Sequence, residues 1–468
     1  MRAPAASSQP RHSPLLTRRQ AGVLLHPSSL PSGVVDADAL RFLDWLAACG
    51  FSVWQTLPVG PPVYGLSPYQ ALSAHAGHLG LLPAQAQARR AGYAAFLRAH
   101  GHWLEDYALF MAIKTSQGGQ PWWQWPAALR RRETVALNAA RTALSDAVEQ
   151  QRRRQFTFFT AWGALRGAAV TRGVHLLGDM PLFVAADSSD VWARPELFKL
   201  RRSGPEQGQP TVVAGVPPDY FSTTGQRWGN PVYDWAAHAA DGFAWWHGRL
   251  AVQTGLFDWV RLDHFRGLDA CWEIPADAPT AVNGVWVPAP GEALLEALCG
   301  VGGTPPLIAE DLGTITPEVV ALRDQFGLPG MRILQFAFDG QPENPYLPKH
   351  HTDNSVVYTG THDNDTTLGW WRTRTGEEQE RVRIVLDQSI RHEHDAVWAL
   401  IEAALQSPAR LAVIPMQDLL GLGSEARMNT PGVEQGNWNW RFHWDQVTPA
   451  LTRRLAALLA QTGRRLET

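Results

Sequence analysis

Short runs of apolar, often β-branched residues that stop at a polar position recur along the chain. Eight stand out: Gly22 to Leu25, Ser52 to Leu57, Val174 to Leu177, Phe257 to Leu262, Pro306 to Ala309, Arg332 to Phe338, Val356 to Thr359 and Leu411 to Pro415. Strands that stay apolar without alternation belong to a parallel sheet covered on both faces. Between several of them the period changes to that of a helix. Asp36 to Ala48 places Leu40, Phe42, Leu43 and Leu46 behind an acidic start. In Thr316-Pro317-Glu318 a capping hydroxyl precedes a proline with no amide to lose, and Gly327 closes the run from Val319 to Phe326. Thr448-Pro449 repeats that opening before Leu451 to Leu459. Strands alternating with helices, eight strands in all, predict an α/β fold, a (β/α)8 TIM barrel.

Two intervals, Pro58 to Arg172 and Met180 to Gly255, are too long for simple crossovers. Residues from about 79 to 170, including the periodic Trp103 to Ile113, read as an inserted, mainly helical subdomain. From about 201 to 235 Gly, Pro, Ser and Thr accumulate and periodicity disappears, which predicts a long active-site loop over the barrel mouth. Residues 1–20 carry Arg2, Arg11, Arg18 and Arg19 without an acid and are expected to form a flexible basic tail, with the decorated barrel spanning 21–468. The apolar stretch Ala21 to Leu25 is too short for the core of a secretion signal, and no run approaches the ~18 apolar residues of a membrane span. A cytoplasmic location without a membrane partner is therefore expected.

Composition narrows the choice of partner. With 41 basic and 44 acidic residues spread without blocks and a net charge of −3, the chain lacks the electrostatic footprint of a nucleic-acid binder. Tryptophan is abundant at 21 copies, and an indole combines a flat apolar face with one N–H donor, which suits sugar rings, although most of these side chains are expected in the core. Cys49, Cys271 and Cys299 are odd in number and far apart, which fits a reducing compartment and no metal or redox pair. Asp363-Asn364-Asp365 begins like a calcium loop but lacks its later glycine and glutamate, and His392-Glu393-His394 has the wrong helical spacing for zinc. No phosphate-cradling or dinucleotide-binding glycine motif is present, so no metal and no cofactor is expected.

In a barrel of this type the chemistry sits where the strands end. The residues there are acidic: Asp179, Asp263, Glu310 and Asp339 follow the third to sixth strands, His362-Asp363 the seventh and Gln417-Asp418 the eighth. Carboxylates crowded around one mouth repel each other, so a reaction explains them better than stability does, while any single one, Asp418 above all, could simply cap a helix. Retaining glycosidic chemistry needs two carboxyls ~5–5.5 Å apart, and neighbouring strands ~4.8 Å apart supply that spacing. Asp263 and Glu310 are the natural pair. Arg261 lies two positions before Asp263, on the same side of the strand, and is placed to hold it ionised and oriented. Glu310, after an apolar strand and with no adjacent base, is expected to have its pKa raised into the range of a general acid.

At these residues the chain resembles the amylomaltases, glycoside hydrolase family 77 of the α-amylase clan, over about Ala21 to Phe442. The segments that carry the likeness run Gly178-Asp179-Met180-Pro181-Leu182-Phe183-Val184-Ala185, Val216-Pro217-Pro218-Asp219-Tyr220-Phe221-Ser222, Gly225-Gln226-Arg227-Trp228-Gly229-Asn230-Pro231, Arg261-Leu262-Asp263-His264-Phe265-Arg266-Gly267, Ala309-Glu310-Asp311-Leu312-Gly313 and Thr361-His362-Asp363-Asn364-Asp365-Thr366. The resemblance implies a 4-α-glucanotransferase acting on maltooligosaccharides and α-1,4-glucans, with Asp263 as nucleophile, Glu310 as acid and base and Asp363 as transition-state stabiliser. It also implies substrate contacts from Tyr69, Ser67, Asp179, Asn230, Arg261, His264, Asp339, His362 and Asn437, and an acceptor-side mobile loop carrying Tyr220, Phe221, Gln226 and Trp228. The chain departs from the family pattern at Leu66, where Asp is usual, and at His78-Leu79-Gly80, where Asn-Pro-Tyr is common; both bear on donor-side contacts and chain-length preference. Two alternatives stand beside the transferase. A retaining α-glucan hydrolase on the same scaffold would use water as acceptor, and a non-catalytic glucan-binding protein would not need the three intact carboxylates.

Overall fold

The computed structural model describes residues 16–63, 65–88, 91–218, 222–299, 303–433 and 435–466. Its strands in chain order are β1 (Gln20–Leu24), β2 (Val53–Gln55), β3 (His175–Met180), β4 (Val212–Val216), β5 (Gln226–Pro231), β6 (Trp259–Leu262), β7 (Ala270–Pro275), β8 (Val285–Pro288), β9 (Leu307–Ala309), β10 (Gly330–Ile333), β11 (Ser355–Tyr358) and β12 (Leu411–Pro415). The eight runs read from sequence all become strands of one closed parallel barrel, ordered β1-β12-β11-β10-β9-β6-β3-β2. Side-chain direction alternates along each strand. Leu24, Val53, Leu177, Trp259, Ile308, Val356 and Val413 fill the interior, while Val23, Trp54, Leu176, Val260, Val357 and Ala412 face the helices. Both faces are dry, which is why the strands read as unbroken apolar runs.

The helical layer follows the sequence signals closely. The helix Ala37–Cys49 is capped by Asp36, whose carboxylate accepts from the Asp38 amide, and ends on Gly50 in the left-handed region. Thr448 caps Pro449–Gln461 by accepting from the Leu451 amide. Thr316 occupies the same position before Pro317–Gln325 but makes no side-chain cap bond. Between β2 and β3 lie the helices Tyr93–Ser116, Thr134–Ala143 and Ser145–Val170. The last packs on Ala37–Cys49, on β3 and on the helix Ala244–Leu256, so its far end is a true wall helix of the barrel.

Four expectations are corrected. The interval 201–235 is more than a loop: β4 and β5 pair antiparallel within it and join β7 and β8 in a four-stranded sheet, β5-β4-β7-β8. Alternation was hidden because these strands are short and carry Gly215, Gly229 and Pro231; a Cβ on Gly215 would lie 2.1 Å from the Gln226 carbonyl, so only glycine allows the pairing. The sixth strand covers Gly330–Ile333 and passes into a 3-10 turn, Leu334–Phe336, so Asp339 lies six residues past the strand end, exposed, with its Oδ1 accepting from the Gln341 amide. Asp179 lies within β3 rather than after it. Residues 16–20 do not belong to a flexible tail: Leu16 is buried, Arg410 donates to its carbonyl, and Gln20 opens β1, while the rest of that expectation, 1–15, lies outside the described residues.

Candidate active site

Three neighbouring strands set the first half of the site by register alone. Asp179 on β3 stands opposite Arg261 on β6, and Leu262 on β6 stands opposite Ala309 on β9, so the next residues, Asp263 and Glu310, emerge side by side at the mouth. Arg261 is buried and holds both acids: Nη1 donates to Asp179 Oδ1 and Oδ2 at 2.9 and 2.8 Å, and Nη2 lies 2.9 Å from Asp263 Oδ1. Burial works against the guanidinium's charge, but Asp179 and then Asp263 more than offset it, and its pKa rises well above the usual arginine value. Tyr69 donates its hydroxyl proton to Asp179 Oδ2 at 2.7 Å. Burial, reinforced by Asp179, raises the Tyr69 pKa, so the phenol keeps the proton it donates. A buried arginine with two carboxylates would be a poor stability device by itself, since desolvating the charges offsets most of their attraction.

Glu310 sits in a different field. Burial pushes its carboxyl up to about 8; Arg261 opposes this and Asp263 adds to it. The expected direction holds: no base adjoins Glu310 in sequence, and the charge of Arg261 on the neighbouring strand opposes the rise without cancelling it. The carboxyl is fixed by two amides: His264 N–H donates to Oε2 at 2.6 Å and Leu312 N–H to Oε1 at 3.2 Å. His264 makes the first of these bonds from φ 50° and ψ 49°, a left-handed conformation that is uncommon outside glycine but that histidine adopts more readily than most residues. The left-handed turn immediately after Asp263 thus aims a donor at its partner acid.

The second half of the site belongs to the loop after β11. His362 is buried and stacks on Tyr69, with ring centroids 5.1 Å apart. Its Nε2 lies 3.3 Å from Asp363 Oδ1, which also accepts from Asn429 Nδ2 at 2.6 Å. Trp438 closes this side, 5.9 Å from both the Tyr69 and His362 rings, and has φ 65°. Asp418 is turned away: it accepts from Thr359 Oγ1 and from the amide and hydroxyl of Thr367 at the start of the helix Thr367–Arg372, which is a capping role.

The four-stranded sheet roofs the site. Trp228 on β5 meets the His264 ring edge-on at 4.8 Å and donates its indole N–H to Gln226 Oε1. Asn230 donates to the Val184 carbonyl and accepts from Gln70, which ties the turn Ser67 to Gln70 to the roof. Tyr220 and Phe221 lie outside the described residues. Asn437 is engaged within its own loop, accepting from the Thr430 amide and donating to the Val433 carbonyl at 2.7 Å. Asp263, Glu310, Asp363, Asp179, Arg261, Tyr69, His264, His362 and Trp228 therefore converge, while Asp339 and Asn437 make no recorded contact with them. Trp438, Asn429 and Gln70 were missed. Gln70 adjoins Tyr69 in sequence, but the other two lie far from any strand end and carry no local signal.

Among the described residues no group of three or more His, Cys, Asp or Glu side chains is arranged to hold a metal ion, and no helix is long and apolar enough to cross a membrane. A family model described as 4-alpha-glucanotransferase matches residues 25–86 and 82–448. The 4-alpha-glucanotransferase of Thermus thermophilus is 49% identical over 95% of this chain and 99% of its own, and that of a Synechocystis species 43% identical over 97% and 99%. Among solved structures, the amylomaltase of Streptococcus agalactiae in complex with acarbose matches with a TM-score of 0.90 at 32% identity, covering 96% of this chain and all of that one.

Proposed function

The chain belongs to the 4-α-glucanotransferases of glycoside hydrolase family 77, and from that premise we propose that it transfers α-1,4-glucan segments between maltooligosaccharides by a retaining double displacement at Asp263, Glu310 and Asp363. In the first step an Asp263 carboxylate oxygen attacks the anomeric carbon, the glycosidic bond breaks, and Glu310 gives its proton to the departing oxygen. In the second the 4-hydroxyl of an acceptor sugar gives its proton to Glu310 as its oxygen displaces Asp263. The observation that carries this reading is the contrast between two adjacent carboxyls: Asp263 is paired with a guanidinium at 2.9 Å, while burial keeps Glu310 protonated up to about pH 8. Asp363 on the opposite loop supports the distorted ring of the transition state.

Transfer rather than hydrolysis requires water to be kept from the glycosyl-enzyme. Trp228, braced on His264 and Gln226, roofs the mouth and offers an acceptor sugar an aromatic face. The relative that binds acarbose supports an oligosaccharide as ligand of this cleft. The test is the product distribution from pure maltotriose. Glucase-free enzyme should yield glucose and longer maltodextrins at a constant count of reducing ends; a rising count with only short products would make water the acceptor and overturn the transferase reading of this site.

A further inference from the structure

The loop carrying Asp363 leaves β11 at Tyr358, so the carboxylate stands five residues beyond the strand and its position is not set by the barrel wall. The loop has its own bonds, with the Asp363 amide donating to Thr361 Oγ1 at 3.3 Å and Thr361 to Asn364 Oδ1, but the side chain of Asp363 is met by one distant segment. Arg427 Nη2 donates to the Asp363 carbonyl at 2.5 Å, the Asn429 amide donates to the His362 carbonyl at 3.1 Å, and Asn429 Nδ2 donates to Asp363 Oδ1 at 2.6 Å. The Asn429 carbonyl in turn accepts from Arg427 Nε at 2.7 Å, so both backbone groups of Asn429 are engaged and its side chain has one direction. Met428 between them is buried in the barrel-interior cluster and its carbonyl accepts from the Trp438 amide at 2.7 Å, which anchors the segment from below. Asp363 Oδ1 also faces His362 Nε2 at 3.3 Å. Among the described residues no side-chain or backbone donor bonds Oδ2.

We propose that Asn429 is a positioning residue for glucan transfer: by engaging Asp363 Oδ1 it fixes the carboxylate plane and leaves Oδ2 as the oxygen offered to sugar hydroxyls. The proposal rests on the reading of Asp363 as the third carboxylate. A carboxylate on an unsupported loop can turn about its Cα–Cβ and Cβ–Cγ bonds, and each turn must be frozen as the transition state forms; a donor fixed from a packed segment removes that reorganisation in advance. The sugar contacts of such a carboxylate tighten in the transition state, so the effect belongs to kcat rather than KM.

The experiment is maltotriose disproportionation by full-length Asn429→Ala, Asn429→Asp, Asp363→Asn and the Asn429→Asp/Asp363→Asn double variant, with thermal melting run on each. Asn429→Asp is included because it keeps the size of the side chain should the alanine variant fail to fold; it replaces the donor by a second carboxylate facing Asp363 Oδ1, and the double variant returns the pair to one carboxylate and one amide. We expect the single Asn429 variants to lose about 10–100-fold in kcat with KM little changed, and the double variant to be no slower than Asp363→Asn alone, because a residue that acts only through Asp363 has nothing left to position. A crippled Asp363→Asn beside an unimpaired Asn429→Asp overturns the proposal alone, as do losses that simply multiply in the double variant. Wild-type kcat in Asp363→Asn overturns the underlying reading of Asp363 and the proposal with it.

Discussion

Arg261 and Asn429 do similar work on opposite sides of the cleft, and they do it by different means. Arg261 is part of the barrel wall: its partners Asp179 and Asp263 are fixed by parallel register and by a period of two along one strand. Asn429 reaches Asp363 from a segment 66 residues away in sequence, through hydrogen bonds that no strand register dictates. The wall side combines buried charges that need each other, so losing one leaves another uncompensated in a dry interior. The strapped side holds Asp363, whose side chain is 45% exposed, and losing a strap there misplaces a group without stranding a charge. The two sides should therefore fail differently when altered.

The largest effect belongs to the wall. Asp263→Ala should reduce transfer by ~10⁴-fold or more, because no other group can form the glycosyl-enzyme; near-normal turnover of maltotriose would end the nucleophile assignment. Glu310→Gln should lower kcat by ~10²–10⁴-fold with ordinary donors and much less with a glycosyl fluoride, whose leaving group needs no proton. An equal loss on both substrates would argue against Glu310 as the acid.

The same residue predicts a pH signature. Because its folded pKa is raised from 4.5 to about 8, activity should fall as pH rises through about 8. The linkage has a fixed sign: the folded state holds the proton more tightly than the unfolded chain, so stability relative to Glu310→Gln is greatest below about 4.5 and is lost as pH rises to about 8. Melting curves of the two proteins that stay parallel across that window would contradict the buried, protonated carboxyl.

Next in size is Arg261→Ala, which leaves Asp179 buried beside Asp263 without its cation. Destabilisation of about 3–5 kcal/mol by urea unfolding is expected together with lost activity, a pairing that the strapped side should not show. A stable but inactive variant would mean that the triad is solvated more than its burial implies. The smallest effect belongs to the roof: Trp228→Ala should cut the transfer-to-hydrolysis ratio by roughly tenfold or less, the scale of one aromatic contact, while leaving glycosyl-enzyme formation nearly intact. An unchanged ratio would place the acceptor elsewhere.

What local sequence reveals of the site follows the same division. Asp263, Glu310 and Arg261 could be read from local sequence because apolar strands announce their own ends, and a period of two carries direction with it. Asp339 was placed by the same rule at a strand that ends earlier than its apolar run, where Leu334–Phe336 turns in a 3-10 helix that is just as apolar. The roof sheet escaped because strands of four to six residues with glycine and proline look like loop until their partners are known. Asn429 and Trp438 escaped for a different reason: nothing within a few residues of either marks what it touches.

By itself the sequence determined the eight-stranded barrel, the wall pair of carboxyls with its arginine, and the family, because each depends on local apolar pattern or on contiguous motifs. Only the tertiary structure decided which oxygen of Asp363 is held, why Glu310 retains its proton, and how β4, β5, β7 and β8 cover the mouth. Those outcomes depend on burial and on hydrogen bonds between residues tens to hundreds of positions apart, and burial is a property of how the whole chain packs rather than of any stretch within it.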